Sequence, residues 1–254
     1  MFLASMAGTY PHKTINNYIH NQSKKQPCLP FTIQVIKLIH EQLDLSDPMS
    51  AAVFACLTTT FYTTARLGEF TTPSLTTYNP AIHPSIALVH TETDCNGLMS
   101  TIFKLPKTKS SPHGEDVLWS VQHGPSDPHF AWTNHLNINN PSPNQHIFAY
   151  QQNKGKITTM VPLTQKTFLT TINKALMAGG QQKMTGHSIR IGATLEYLLQ
   201  GVPFDAMKVK GRWASDTFRI YLWKHTQILT PYMQAVPDTH TVLIHHTINM
   251  PPVR

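Results

Sequence analysis

In the last third of the sequence, TGHSIRIGATLEYLLQGVP sets His187 and Arg190 three residues apart at the start of a helical pattern. On a helix, that spacing puts both side chains on one face. A helix N-terminus favours anions, so an imidazole and a guanidinium there suit a phosphate. A His-x-x-Arg pair is equally common on a solvated helix face. Farther on, VKGRWASDTFRIYLW places Trp213 twenty-six residues after His187 and Tyr221 eight after Trp213. Read alone, these two are aromatic packing residues. Upstream, an apolar helix runs into TTARLGEF, with Arg66 and Glu69 at i, i+3. A guanidinium beside so apolar a stretch needs a partner, which is Glu69 or a bound anion. Between them, FKLPKTKSSPHGED carries Lys104, Lys107 and Lys109 into a bend between two strands. Lysines there can reach into a site or stay wet.

The elements that must position these groups are mostly helices. A short helix is predicted over residues 10–21, followed by a linker at Ser23–Pro30. From Thr32, Ile33, Ile36, Leu38, Ile39 and Leu43 form an apolar stripe of period near 3.6. Asp47-Pro48 is an N-cap followed by a proline suited to the first turn. The helix it opens, to about Thr64, is apolar nearly all round and should be central. Asp127-Pro128 repeats the device before a helix to about Leu136. Strands are predicted at Ser85–His90, Ser100–Leu105 and Glu115–Ser120, giving a small antiparallel sheet, with a short extended piece at His146–Tyr150. Further helices are predicted at Thr164–Met177, His187–Gln200, Phe204–Lys210 and Ser215–Lys224, before a tail with four prolines. The fold class is α+β, mostly α-helical.

Composition narrows the partners. Of 254 residues, 41% are hydrophobic, enough for a real core, and only 13% are charged, so this is not a charge-rich disordered chain. No apolar run reaches the ~18–20 residues of a membrane-spanning helix, and no membrane partner is expected. Three widely spaced cysteines give neither a disulfide framework nor a metal knuckle and fit a reducing compartment. The opening MFLASMAG lacks the marks of a secretory signal. The net charge of +7 fits a polyanion partner, most often nucleic acid, and equally fits ordinary solubility charge. Between Lys183 and Lys224 seven basic residues face three acidic ones, which concentrates the excess around the His-x-x-Arg and Trp–Tyr segments. The histidines do not fall into a zinc spacing, so no metal or other cofactor is expected.

The ordered set is more specific than its parts. Arginine, a hairpin lysine, His-x-x-Arg, tryptophan and tyrosine, in this order, resemble the tyrosine recombinase (phage integrase-like) superfamily. The phrases ARLGEF, LPKTKSS, TGHSIRIGAT and GRWASDTFRIY look closest to fungal crypton and DIRS-like mobile-element recombinases. The resemblance runs from about Thr32 to Lys224. It implies a catalytic domain over residues 31–226, with residues 1–30 as the remnant of an N-terminal helical core-binding domain plus linker, and 227–254 as an irregular tail. It further implies a nuclear location and double-stranded DNA as partner, held by a homo-oligomer, a tetramer when active.

By the same resemblance Arg66 and Arg190 are the paired arginines, Glu69 their acidic support and Lys109 the mobile lysine, with Lys107 the fallback. His187, Trp213 and Tyr221 take the histidine, His-or-Trp and nucleophile positions. Lys107, Lys183, Lys208, Lys210 and Arg212 are expected to bind DNA. The implied reaction is DNA breaking and rejoining through a 3′-phosphotyrosyl intermediate. The alternative is a truncated, inactive remnant that only binds DNA.

Overall fold

The computed structural model describes residues 28–155 and 157–214. The predicted helices at 10–21 and from Ser215, the proline-containing tail and Tyr221 lie outside the described residues.

Helix α1 (Ile33–Gln42) begins where Thr32 accepts a hydrogen bond from the Val35 amide. Helix α2 (Pro48–Tyr62) begins at Asp47, whose carboxylate accepts from Ser50 N at 2.8 Å with Pro48 in the first turn. Thirteen of its fifteen residues are buried, so it is the central helix its composition predicts. Helices α3 (Pro128–Asn139), α4 (Gln165–Ala178) and α5 (Gly186–Leu199) pack against it. Helix α6 (Phe204–Lys210) joins α5 through a small separate cluster of Leu195, Leu198 and Met207, with Trp213 on its border.

Strands β1 (Val89–Thr93), β2 (Met99–Leu105) and β3 (Glu115–Ser120) form one antiparallel sheet in sequence order, with Phe103 paired to both Val89 and Val117. Phe103 and Trp119 turn inward, and Phe103 meets Trp132 of α3 edge-on at 5.5 Å between centroids. The fold is therefore α+β with small antiparallel sheets, as the sequence predicts.

Two strand assignments change. Ser85–His90 is not one strand. Its first part folds into a 3-10 turn (Ile86–Leu88) because Leu88 N bonds back to Ser85 O, and Ala87 N is taken by Pro143 O. The strand begins at Val89. The extended piece at His146–Tyr150 contributes a bridge to Ser85, while a hairpin of β4 (Tyr150–Lys154) and β5 (Ile157–Val161) follows it. The sequence of β4, YQQNK, is polar and gives no alternating signal.

Four helices end in the same hydrogen-bonded cap, with a left-handed residue just past the helix. Glycine fills that place after α4 (Gly180, φ 72°) and α5 (Gly201, φ 84°). After α2 it is Thr64 (φ 55°), and after α6 it is Arg212 (φ 56°). A side chain in that conformation costs on the order of 1 kcal/mol. Asn140 ends α3 in the same region (φ 41°), and Thr64 and Arg212 are the two such residues that lead to the candidate site.

Candidate active site

Arg66 follows the Thr64 cap by two residues. Its backbone is extended (φ −83°, ψ 135°), and it starts a 3-10 turn over Leu67–Glu69. That turn brings Glu69 back onto it. Glu69 Oε2 accepts from Arg66 N at 2.8 Å, and Oε1 accepts from Arg66 Nη1 at 3.0 Å. The Arg66 side chain keeps 36% of its surface open, whereas Glu69 keeps 8%. The carboxylate is thus the buried anchor and the guanidinium is presented outward.

Glu69 has a second cation. Arg212 Nη2 lies 2.6 Å from Glu69 Oε2, and Arg212 Nη1 lies 2.7 Å from Glu115 Oε1 at the start of β3. Glu115 also accepts from Ser110 Oγ at 3.1 Å and from the Thr108 hydroxyl. Burial pushes the Glu115 carboxyl up, but the Thr108 hydroxyl, the Arg212 charge and Ser110 outweigh it and hold the pKa below the usual value. Arg66 Nη1 is also within 3.4 Å of Ser110 Oγ. Lys109 stands exposed between Thr108 and Ser110, both of which are tied to this cluster. Lys107 is exposed as well, one residue outside those ties.

Arg190 is 4% exposed, in the second turn of α5. Its Nη2 donates to the Gly211 carbonyl, and its Cζ stands 4.5 Å from the centre of the Trp213 ring. Gly211 must be glycine for a steric reason, since a Cβ there would lie 1.6 Å from the Trp213 ring. His187 is open to solvent near the start of the same helix, which Thr185 caps. What burial its ring has, and then the Arg190 charge, lower its pKa, which favours the uncharged imidazole that can take a proton.

The structure therefore assembles two arginine sites on one short turn. Gly211 and Trp213 hold Arg190, and Arg212 between them holds Glu69 and, through it, Arg66. Of the residues expected to bind DNA, Lys107 and Lys183 are exposed and Lys208 is half-buried. The Lys210 ammonium donates to Leu118 O at 3.2 Å and sits 4.7 Å over the Tyr197 ring, and burial lowers its pKa to about 8. Arg212 is engaged with two carboxylates. Glu115, Thr108 and Ser110 were not singled out in the sequence. The hydroxyls flanking Lys109 in KTKSS were the one available signal. Among the described residues, no three His, Cys, Asp or Glu side chains gather as a metal site would need.

No family model and no curated protein matches the sequence. Among solved structures the fold is similar to FLP recombinase in a Holliday junction complex, at 10% identity over 85% of this chain and 52% of that one, with a TM-score of 0.47. It is similar to Flpe in a Holliday junction complex, at 11% identity over 84% and 51%, with a TM-score of 0.49. A Flpe point mutant on a DNA Holliday junction matches at 11% identity over 94% and 59%, with a TM-score of 0.48. The chain spans about half the length of these proteins, and at such scores the likeness is one of outline, so the site stands on its own contacts.

Proposed function

We propose that this chain is the catalytic part of a tyrosine recombinase, acting on double-stranded DNA by transesterification at a phosphodiester. One observation carries the reading. Arg190 meets the 211–213 turn directly and Arg66 is joined to it through Glu69, and in sequence that turn is followed by the segment containing Tyr221.

In the proposed reaction the Tyr221 oxygen attacks phosphorus and the bond to the 5′-oxygen breaks. Arg66 and Arg190 hold the non-bridging oxygens, where charge accumulates. Their planar, permanently charged forks match that geometry. Stabilisation of this kind is worth about 3–4 kcal/mol per lost donor. A tyrosine with an ordinary pKa near ~10 is protonated at neutral pH, so its proton must leave. Neutral His187 accepts it. Lys109 donates a proton to the departing 5′-oxygen from its exposed position on the hairpin. Trp213 has only an N–H donor and moves no proton. It braces Arg190 from one side. The 3′-phosphotyrosyl bond keeps the energy of the broken linkage, so a second strand's 5′-hydroxyl can reverse the step.

The test is a pool of nicked duplexes of randomised core sequence, incubated with the full chain and resolved under denaturing conditions. A covalent adduct is expected for the unaltered protein and is expected to vanish in Tyr221→Phe and in Arg190→Ala. Salt-sensitive DNA retention without adduct would instead favour a binding remnant.

A further inference from the structure

Arg212 is the cation whose placement the proposed reaction leaves unexplained. A phosphate-contacting arginine needs an Nη group that is not already held by a carboxylate. Arg212 has 8% of its side chain exposed, and its two Nη groups lie on carboxylates from two different elements, Glu69 after α2 and Glu115 on β3. Its backbone is also in the left-handed region, where the two caps of the same kind away from the site use Gly180 and Gly201. The chain tolerates a strained residue at this corner and gains a guanidinium that reaches both acids.

We propose that Arg212 is a positioning residue that locks the Lys109-bearing hairpin to the Arg66 turn and balances the second carboxylate, leaving Arg66 available to a phosphate. The inference rests on the recombinase reading. The charge argument is direct. Arg66 and Arg212 stand against Glu69 and Glu115, so the cluster is neutral before DNA arrives. Without Arg212, the excess carboxylate charge falls beside Arg66, where an anion has to bind. The geometric argument is equally direct. Arg212 holds Glu115, Glu115 holds Thr108 and Ser110, and those two residues flank Lys109. Arg212 also holds Glu69, which holds Arg66. One guanidinium therefore fixes the spacing between the arginine and the lysine of the proposed site. A misplacement of about 1 Å in such a pair costs on the order of 100-fold in rate.

The experiment compares the full-length protein with Arg212→Met, Glu115→Gln and the double variant, measuring single-turnover adduct formation at saturating nicked DNA alongside DNA affinity and its salt dependence. Arg212→Met is expected to lower the adduct rate about 100-fold while affinity stays within about twofold and the salt slope changes by less than about 0.3. The double variant is expected to recover at least about tenfold of that loss, because removing the Glu115 charge restores neutrality. A residue that merely holds the fold predicts no such recovery. A phosphate contact predicts weaker binding and a salt slope smaller by about one, again without recovery. Either result overturns the proposal. Should Arg212→Met not fold, Glu115→Gln alone decides. A slower adduct rate at unchanged affinity supports the link, and an unchanged rate overturns it. If the unaltered protein forms no adduct, the recombinase reading fails separately, and hydrogen exchange judges the clamp. Faster exchange confined to amides 107–114 in Arg212→Met supports it, and unchanged exchange overturns it.

Discussion

Arg66 and Arg212 share one carboxylate. Glu69 gives Oε1 to Arg66 Nη1 at 3.0 Å and Oε2 to Arg212 Nη2 at 2.6 Å, from a side chain that is 8% exposed. The turn after α2 and the turn after α6 are thereby joined through two oxygens. Removing one partner of a buried ion pair costs more than the pair itself contributes, because the remaining charge is left desolvated. Glu69→Gln is therefore expected to destabilise the protein by roughly 3 kcal/mol in urea unfolding. A loss below ~1 kcal/mol would mean that solvent already screens the pair.

Gly211 and Trp213 are coupled by contact. With a Cβ position 1.6 Å from the ring, Gly211→Ala must displace the indole, and overpacking of this sort costs about 2 kcal/mol. In Gly211→Ala/Trp213→Ala the clash has no target, so the double variant should be more stable than the summed single losses imply, by about 1 kcal/mol or more. Simple additivity in denaturant unfolding would show that the ring moves aside freely.

Acid should destabilise the fold well above the usual carboxylate range. His135 Nε2 donates to the Ile147 carbonyl at 3.1 Å, and the Asn139 side-chain amide donates to its Nδ1 at 3.0 Å. The carbonyl fixes the proton on Nε2, so that nitrogen donates and Nδ1 accepts from Asn139. Burial lowers the His135 pKa to about 4, and burial with the neighbouring His83 and His135 charges lowers that of His146 to about 3. Both folded values lie below the unfolded value near ~6.5. The stability tied to neutral imidazoles is thus fully present above pH ~6.5 and is lost as pH falls toward the folded values. A decline on the order of a few kcal/mol between pH 7 and 4 is expected, and His146→Asn should flatten it. A stability curve level down to pH 4 would contradict this.

Much of this was legible in the sequence, and the limits have physical causes. Asp47-Pro48 and Asp127-Pro128 announce helix starts because capping is a local interaction, and the side chains do accept the expected amides. His187 and Arg190 are legible because helical spacing fixes their common face. The partners of Arg212 are not, since Glu69 and Glu115 reach it only through tertiary packing. Ser85–Leu88 carries a strand-like apolar pattern, yet the Pro143 carbonyl captures Ala87 N and favours a turn. The β4–β5 hairpin has a polar first strand, YQQNK, and a second, ITTMV, that is exposed or half-buried throughout, so alternation could not mark it.

Exposure separates the basic residues by what they can offer to DNA. Lys107 and Lys183 are open to solvent, while Lys210 is committed to Leu118 O and Tyr197. Lys107→Ala and Lys183→Ala should each reduce the slope of log affinity against log salt by roughly 0.9 if each meets one phosphate. Lys210→Met should leave that slope unchanged. Anisotropy titrations across a salt series read this directly, and a reduced slope for Lys210→Met would show that the lysine leaves its pocket on binding.

The most direct test of the central claim is to locate the covalent link. After capture on the nicked pool, nuclease and trypsin treatment should leave a nucleotide on the peptide Ile220–Lys224, IYLWK, whose single tyrosine is Tyr221. Mass spectrometry is expected to find the added phosphodiester on that tyrosine. A link on any other residue, or an adduct that survives Tyr221→Phe, would contradict the account.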